Sequence, residues 1–71
     1  MKLGDLFRYI NFDEKIEICT QELETNFCEV KREGQWKRED VPQKWLDYDL
    51  MGIFPLVIDH SLGLRILVMK D

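Results

Sequence analysis

"IFPLVIDHSLGLRILVM", residues 53 to 69, is apolar at nearly every position in a chain of 71 residues. A strand with one face on a core and the other in water alternates apolar with polar side chains, and this stretch mostly does not. The segment "DHSLG" supplies turn residues, with Gly63 available for a positive φ, so two strands are expected near 50–58 and 64–70. With Ile58 set opposite Leu64, the side chains of Phe54, Leu56, Ile58, Leu64, Ile66 and Val68 share one face, and the core belongs there. The reverse face then carries Ile53, Pro55, Val57, Leu67 and Met69, relieved only by Arg65. Those side chains amount to roughly 300 to 400 Å², near the largest apolar patch an ordinary monomer leaves open. Burying them is worth about 8 to 10 kcal/mol before ordering costs, at ~25 cal/mol per Å². The cover is Trp45 and Leu46 of the same chain, a second copy, or a foreign partner. Pro55 cannot donate to a ladder and marks an edge strand, a bulge or a strand end.

Working outward, Leu3, Leu6, Phe7 and Ile10 fit the i, i+3, i+4, i+7 template, which predicts an amphipathic helix over 2–10 with Asn11 as its stop. "KIEICT" and "NFCEVKR" predict strands near 14–20 and 26–32, joined by "QELETN", and Gly34 falls in a turn. In "EDVPQKWLDYD", Asp40 is a candidate N-cap and Pro42 suits a first helical turn, giving a short helix through Trp45 and Leu46. The expected fold is a single α+β domain over 1–71: an antiparallel four-stranded sheet packed by an N-terminal helix, with a short helix between the two hairpins.

At 8.6 kDa such a domain buries only about 60% of its unfolded surface, so it needs a staple, a mate or a well-packed core. Aligning the apolar faces of the first hairpin sets Ile18 near Val30 and Thr20 near Cys28. Cys19 then points to the other side, and both cysteines are expected as free thiols, which suits a reducing compartment. Asp5 and Arg8 interrupt the opening segment where a signal peptide needs an apolar run, and no run reaches the ~18 residues of a membrane span. A cytosolic setting is expected. The net charge of −4 argues against non-specific nucleic-acid binding.

No residue pattern carries catalysis. His60, in "DHS", is flanked by Asp59 and Ser61, but turn neighbours point apart and do not converge as a triad. Cys19, Cys28 and His60 lack any paired-ligand spacing, so neither a metal nor a cofactor is expected. The pairs Asp13 and Glu14, and Asp47 and Asp49, lie beside Lys15 and Lys44 and read as solvated surface. Lys31, Arg32, Lys37 and Arg38 surround Trp36 as in a base-stacking groove, yet Glu29, Glu33, Glu39 and Asp40 cancel most of the field. Trp36, Arg38 and Trp45 are instead candidate contacts for a protein partner, Trp and Arg being the types enriched at hot spots. Ile53, Val57, Leu67 and Met69 are candidate self-association residues.

"LGDLFRYINFDEKIEI", "VPQKWLDYDLMGIFP" and the closing apolar strand together resemble short uncharacterised accessory proteins encoded by phages and prophages of Gram-positive bacteria. The resemblance implies a non-enzymatic protein acting by protein–protein binding, such as an inhibitor of a host defence or regulatory protein, and carries over no functional residue. The expectation is a homodimer that occupies a host or phage protein. The alternative is an oligomeric sequestrant of a small signalling molecule such as a nucleotide.

Overall fold

The computed structural model describes residues 1–22 and 29–69. The helix expected over 2–10 is α1, Leu3–Tyr9. Seven residues are too few to hold a helix in water, so its stability comes from docking. Its first free amides are taken up from outside: Leu3 N–H donates to Tyr48 O at 3.0 Å and Gly4 N–H to Leu46 O at 2.9 Å. Gly4 permits the second contact, since a Cβ there would stand 3.3 Å from Leu46 O. Asp5 accepts the Lys2 amide at 3.1 Å, placing a carboxylate in the first turn where the helix dipole favours it.

The strands are β1 (Lys15–Glu22), β2 (Glu29–Trp36), β3 (Asp49–Ile58) and β4 (Ser61–Met69), in the order β2-β1-β4-β3. Both hairpins are antiparallel, but β1 and β4 run parallel side by side, so the sheet is mixed and the purely antiparallel expectation is corrected. The reason lies in residues 37–48. They carry the chain from the end of β2 to the opposite edge, so the second hairpin enters from outside and lays β4 beside β1. The two strands richest in core residues thereby take the centre. The short helix expected between the hairpins is instead two 3-10 turns, Arg38–Asp40 and Gln43–Trp45, the form a connection takes when it must also cover distance.

Side chains sort by cross-strand rows. On the face under α1 the rows are Trp36, Ile16, Leu64, Pro55 and then Gly34, Ile18, Ile66, Ile53. Leu3, Leu6, Ile16, Ile18, Trp45, Ile66 and Val68 form the buried core, with Phe7, Phe12, Trp36, Val41, Leu46, Tyr48, Leu50 and Leu64 packed around it.

Two register expectations are corrected. Ile18 stands opposite Gly34, not Val30, and Thr20 opposite Lys31, because β2 runs later in the chain and carries a bulge near Glu33. Gly34 therefore lies in a strand, with φ 156°, under the indole of Trp36. Cys19 is buried with a free thiol, and Cys28 lies outside the described residues.

In the second hairpin only Asp59 and His60 form the turn, at φ 51° and 66°, and Ile58 pairs with Ser61 rather than facing Leu64. The shorter turn inverts the parity of β3 against β4. Ile53, Pro55 and Val57 lie on the α1 face with Leu64 and Ile66, while Phe54, Leu56 and Ile58 join Arg65 and Leu67 on the other. Gly63 is a strand residue paired with Leu56 and not the positive-φ turn residue expected; a Cβ there would sit 2.6 Å from Ile58 Cδ1 and 3.0 Å from Lys15 O.

Candidate interaction surface

The roof of α1 and the 37–48 connection reaches β1 and β4 but stops short of the tip of the β3–β4 hairpin. There Val57 is 73% exposed and its cross-strand neighbour Leu62 61% exposed, with exposed Ile53 and Pro55 beside them. On the other side of β3, Phe54 is half exposed, as is Met51 at the bulge. On the α1 side the exposed portions of Ile53, Val57 and Leu62 sum to roughly 300 Å², the size of the largest apolar patch on an ordinary monomer, and Phe54 is a separate exposed group on the other face.

β3 is an edge strand, the first of the three placements that Pro55 allowed. Its outer edge is bridged at the start, where Lys2 pairs with Asp49 and Leu50 N–H donates to Met1 O at 2.8 Å. Beyond that point the bulge and Pro55 break the regular row of backbone groups another strand would need. Contact at this edge therefore falls to side chains.

The sheet face away from α1 has no helix over it among the described residues. Its rows are Gln35, Glu17, Arg65, Phe54 and Arg32, Cys19, Leu67, Gly52. Glu17 is buried between two guanidinium groups, Arg65 Nε at 3.0 Å from Oε2 and Arg32 Nε at 3.5 Å from Oε1. Phe54 folds its ring over Gly52, where an added Cβ would meet Cε2 at 2.9 Å. Beside these groups is an apolar depression lined by Val30, Phe54, Arg65 and Leu67. Burial pushes the Cys19 thiol up, and the Glu17 carboxylate adds to the shift, so this sulfur is held protonated and is a poor nucleophile.

The residues singled out from the sequence are dispersed. Trp36 packs against the core. Arg38 donates to Asn11 Oδ1 at 2.6 Å and to Phe7 O, and its guanidinium lies 5.3 Å from the Phe12 ring centroid and 5.8 Å from that of Phe7. Trp45 is buried, edge-on to Tyr48 at 5.0 Å, with Lys44 Nζ 4.6 Å above its ring. Ile53 and Val57 lie on the α1 face, Leu67 and Met69 on the open face, so the four do not form one patch. His60 is an exposed turn residue. Among the described residues no three His, Cys, Asp or Glu side chains converge as metal ligands.

Glu17 and Leu62 were not singled out by sequence reasoning, Arg32 was set aside with the basic cluster around Trp36, and Phe54 was assigned to the core face. Alternation in "KIEICT" does place Glu17 opposite in facing to Ile16 and Ile18, but its neighbour Arg65 becomes visible only once β4 is known to lie beside β1. No family model, curated protein or solved structure matches the chain. Among the described residues no helix is long and apolar enough to cross a membrane.

Proposed function

We propose that this chain is a non-enzymatic binding protein of the phage accessory kind, which acts sterically by occupying the surface of a host or phage protein and pairs with a second copy of itself. The observation that carries the reading is the β3–β4 hairpin, which exposes apolar side chains on both faces of an edge strand beyond the reach of its own roof. Such a patch is costly to leave in water and is retained where it makes a contact. The α1 side of the hairpin tip, with Ile53, Val57 and Leu62, bears no charge among those residues and suits an isologous contact in which like residues meet.

Sedimentation equilibrium over a range of concentrations tests the pairing. The expected result is a dimer that Val57→Glu converts to monomer and that Leu67→Glu, on the opposite face, leaves intact. A single 8.6 kDa species at millimolar wild-type protein overturns self-association. Affinity purification from the producing cells tests the partner: wild type retains a protein that the double variant Phe54→Glu, Val57→Glu loses. Equal recovery by both overturns the hairpin as the contact.

A further inference from the structure

We propose that the open face of the sheet docks an amphipathic helix of the partner protein, with an Asp or Glu set among its apolar residues and the carboxylate held by Arg32 and Arg65. This deepens the binding reading given above and rests on it.

Three observations carry the choice of occupant. The first is donor capacity. Both arginines engage Glu17 through Nε, and among the described residues their terminal N–H₂ groups meet no acceptor. A guanidinium offers five N–H groups in a planar fork that matches a carboxylate two bonds at a time. Arg32, with its side chain 72% exposed, and Arg65, 36% exposed, thus present unused donors on either side of a buried acid.

The second is charge. Two arginines and one glutamate give this centre a balance of +1 (2 − 1), while the chain as a whole carries −4, leaving −5 on everything else. A second copy packed face to face would oppose two like-charged centres, whereas an acidic side chain is drawn to a cationic centre on an acidic chain. A nucleic-acid backbone repeats its charge along its whole length and would meet the −5 on the rest of the chain, whereas a single carboxylate set among apolar residues need meet only the two arginines. That favours a protein side chain over a nucleic-acid backbone.

The third is shape. Four strands about 4.8 Å apart make a floor roughly 15 Å wide, enough for a helix of ~10 Å diameter. Gly52 lets the Phe54 ring lie flat over the strand, and Val30, Phe54 and Leu67 supply apolar surface next to Arg65. The same sheet already accepts α1 on its other side, so a second helix completes the three-layer arrangement.

The test is an NMR titration of the ¹⁵N-labelled full chain with a synthetic helical peptide bearing Leu at i, i+4 and i+7 and Glu at i+3, and with its Gln counterpart. The expected shifts fall on Val30, Arg32, Phe54, Arg65 and Leu67, with the Gln peptide binding several-fold more weakly. Arg32→Gln lowers affinity for the Glu peptide. Glu17→Gln raises it, because the internal competitor for the guanidinium groups is gone; a triad that only holds the sheet together predicts a loss instead. No shift at these residues at millimolar peptide, equal binding of the two peptides, or tighter binding of a single-stranded oligonucleotide at the same arginines overturns the proposal. If the peptide fails while Val57-dependent association persists, this surface alone is wrongly assigned; if both fail, the binding reading falls with it.

Discussion

Arg65 lies directly opposite Glu17 in the parallel ladder between β1 and β4, its Nε 3.0 Å from Glu17 Oε2. The glutamate side chain is 4% exposed, and its carboxylate is paired with Arg65 and with Arg32 on the other neighbouring strand. Removing one partner of a buried pair strands the other. Because Arg65 is itself about a third exposed, Arg65→Leu is expected to cost about 1–2 kcal/mol rather than the full penalty of a deeply buried break. Urea denaturation reads it, and a change under about 0.5 kcal/mol contradicts it.

The β3–β4 turn places two residues with side chains at positive φ, Asp59 at 51° and His60 at 66°. Left-handed backbone costs a non-glycine residue about 1–2 kcal/mol, partly offset by the extra entropy a glycine gives the unfolded chain. His60→Gly is therefore expected to stabilise the protein by about 0.5–1 kcal/mol in the same assay. A loss of stability would mean that His60 makes a contact worth more than the strain.

Gly63 sits in the buried middle of the sheet, where an added methyl meets Ile58 Cδ1 at 2.6 Å and Lys15 O at 3.0 Å. Gly63→Ala is expected to cost about 1–3 kcal/mol by overpacking. The side-chain part of the clash is relieved in Gly63→Ala, Ile58→Ala and the backbone part is not, so the double variant should be more stable than the sum of its single losses. Strict additivity would place the strain elsewhere.

Arg38 joins the end of α1 to the first 3-10 turn through Phe7 O, Asn11 Oδ1 and the faces of Phe7 and Phe12. Arg38→Ala should cost about 1–2 kcal/mol, and Arg38→Lys should recover little, since an ammonium cannot span two acceptors and stack on two rings. Hydrogen exchange at the Ile10 amide, which bonds to Leu6 O at 2.9 Å, reports the loosened helix end.

Cys19 offers a chemical probe of the open face. Its thiol is shifted upward by burial and by Glu17, so at a mildly alkaline pH less of it is thiolate than in an unfolded chain. In a Cys28→Ser background, alkylation at pH 8 should be slow for the native protein and fast in denaturant. Because the folded state prefers the protonated thiol, its contribution to stability is full below the unfolded thiol's pKa and fades as pH rises through the raised value. Rapid native alkylation would show that the face opens.

Local pattern was enough for much of the molecule. The 3.6-residue spacing of Leu3, Leu6 and Phe7 marked α1, the apolar runs marked four strands, and Pro55 narrowed its strand to an edge, a bulge or an end. What failed was parity. Reading five turn residues where two suffice turned β3 over, and with it the assignment of Ile53, Val57 and Leu67 to a common patch. The turn was misread because Asp-His is a poor match to the glycine-rich pairs that usually signal a two-residue hairpin, and Gly63, needed for close packing against Ile58, supplied a false cue.

By itself the sequence determined the N-terminal helix, the four strands and the surplus of apolar side chains on the C-terminal hairpin, because these follow from periodicity and composition within a few residues. Only tertiary structure decided that β4 lies parallel to β1, that Glu17 sits between Arg32 and Arg65, and which apolar residues stay exposed. Glu17 and Arg65 lie 48 residues apart, and the path of residues 37–48, rather than any local preference, brings β4 beside β1; the exposed side of β3 follows from the two-residue turn at Asp59 and His60.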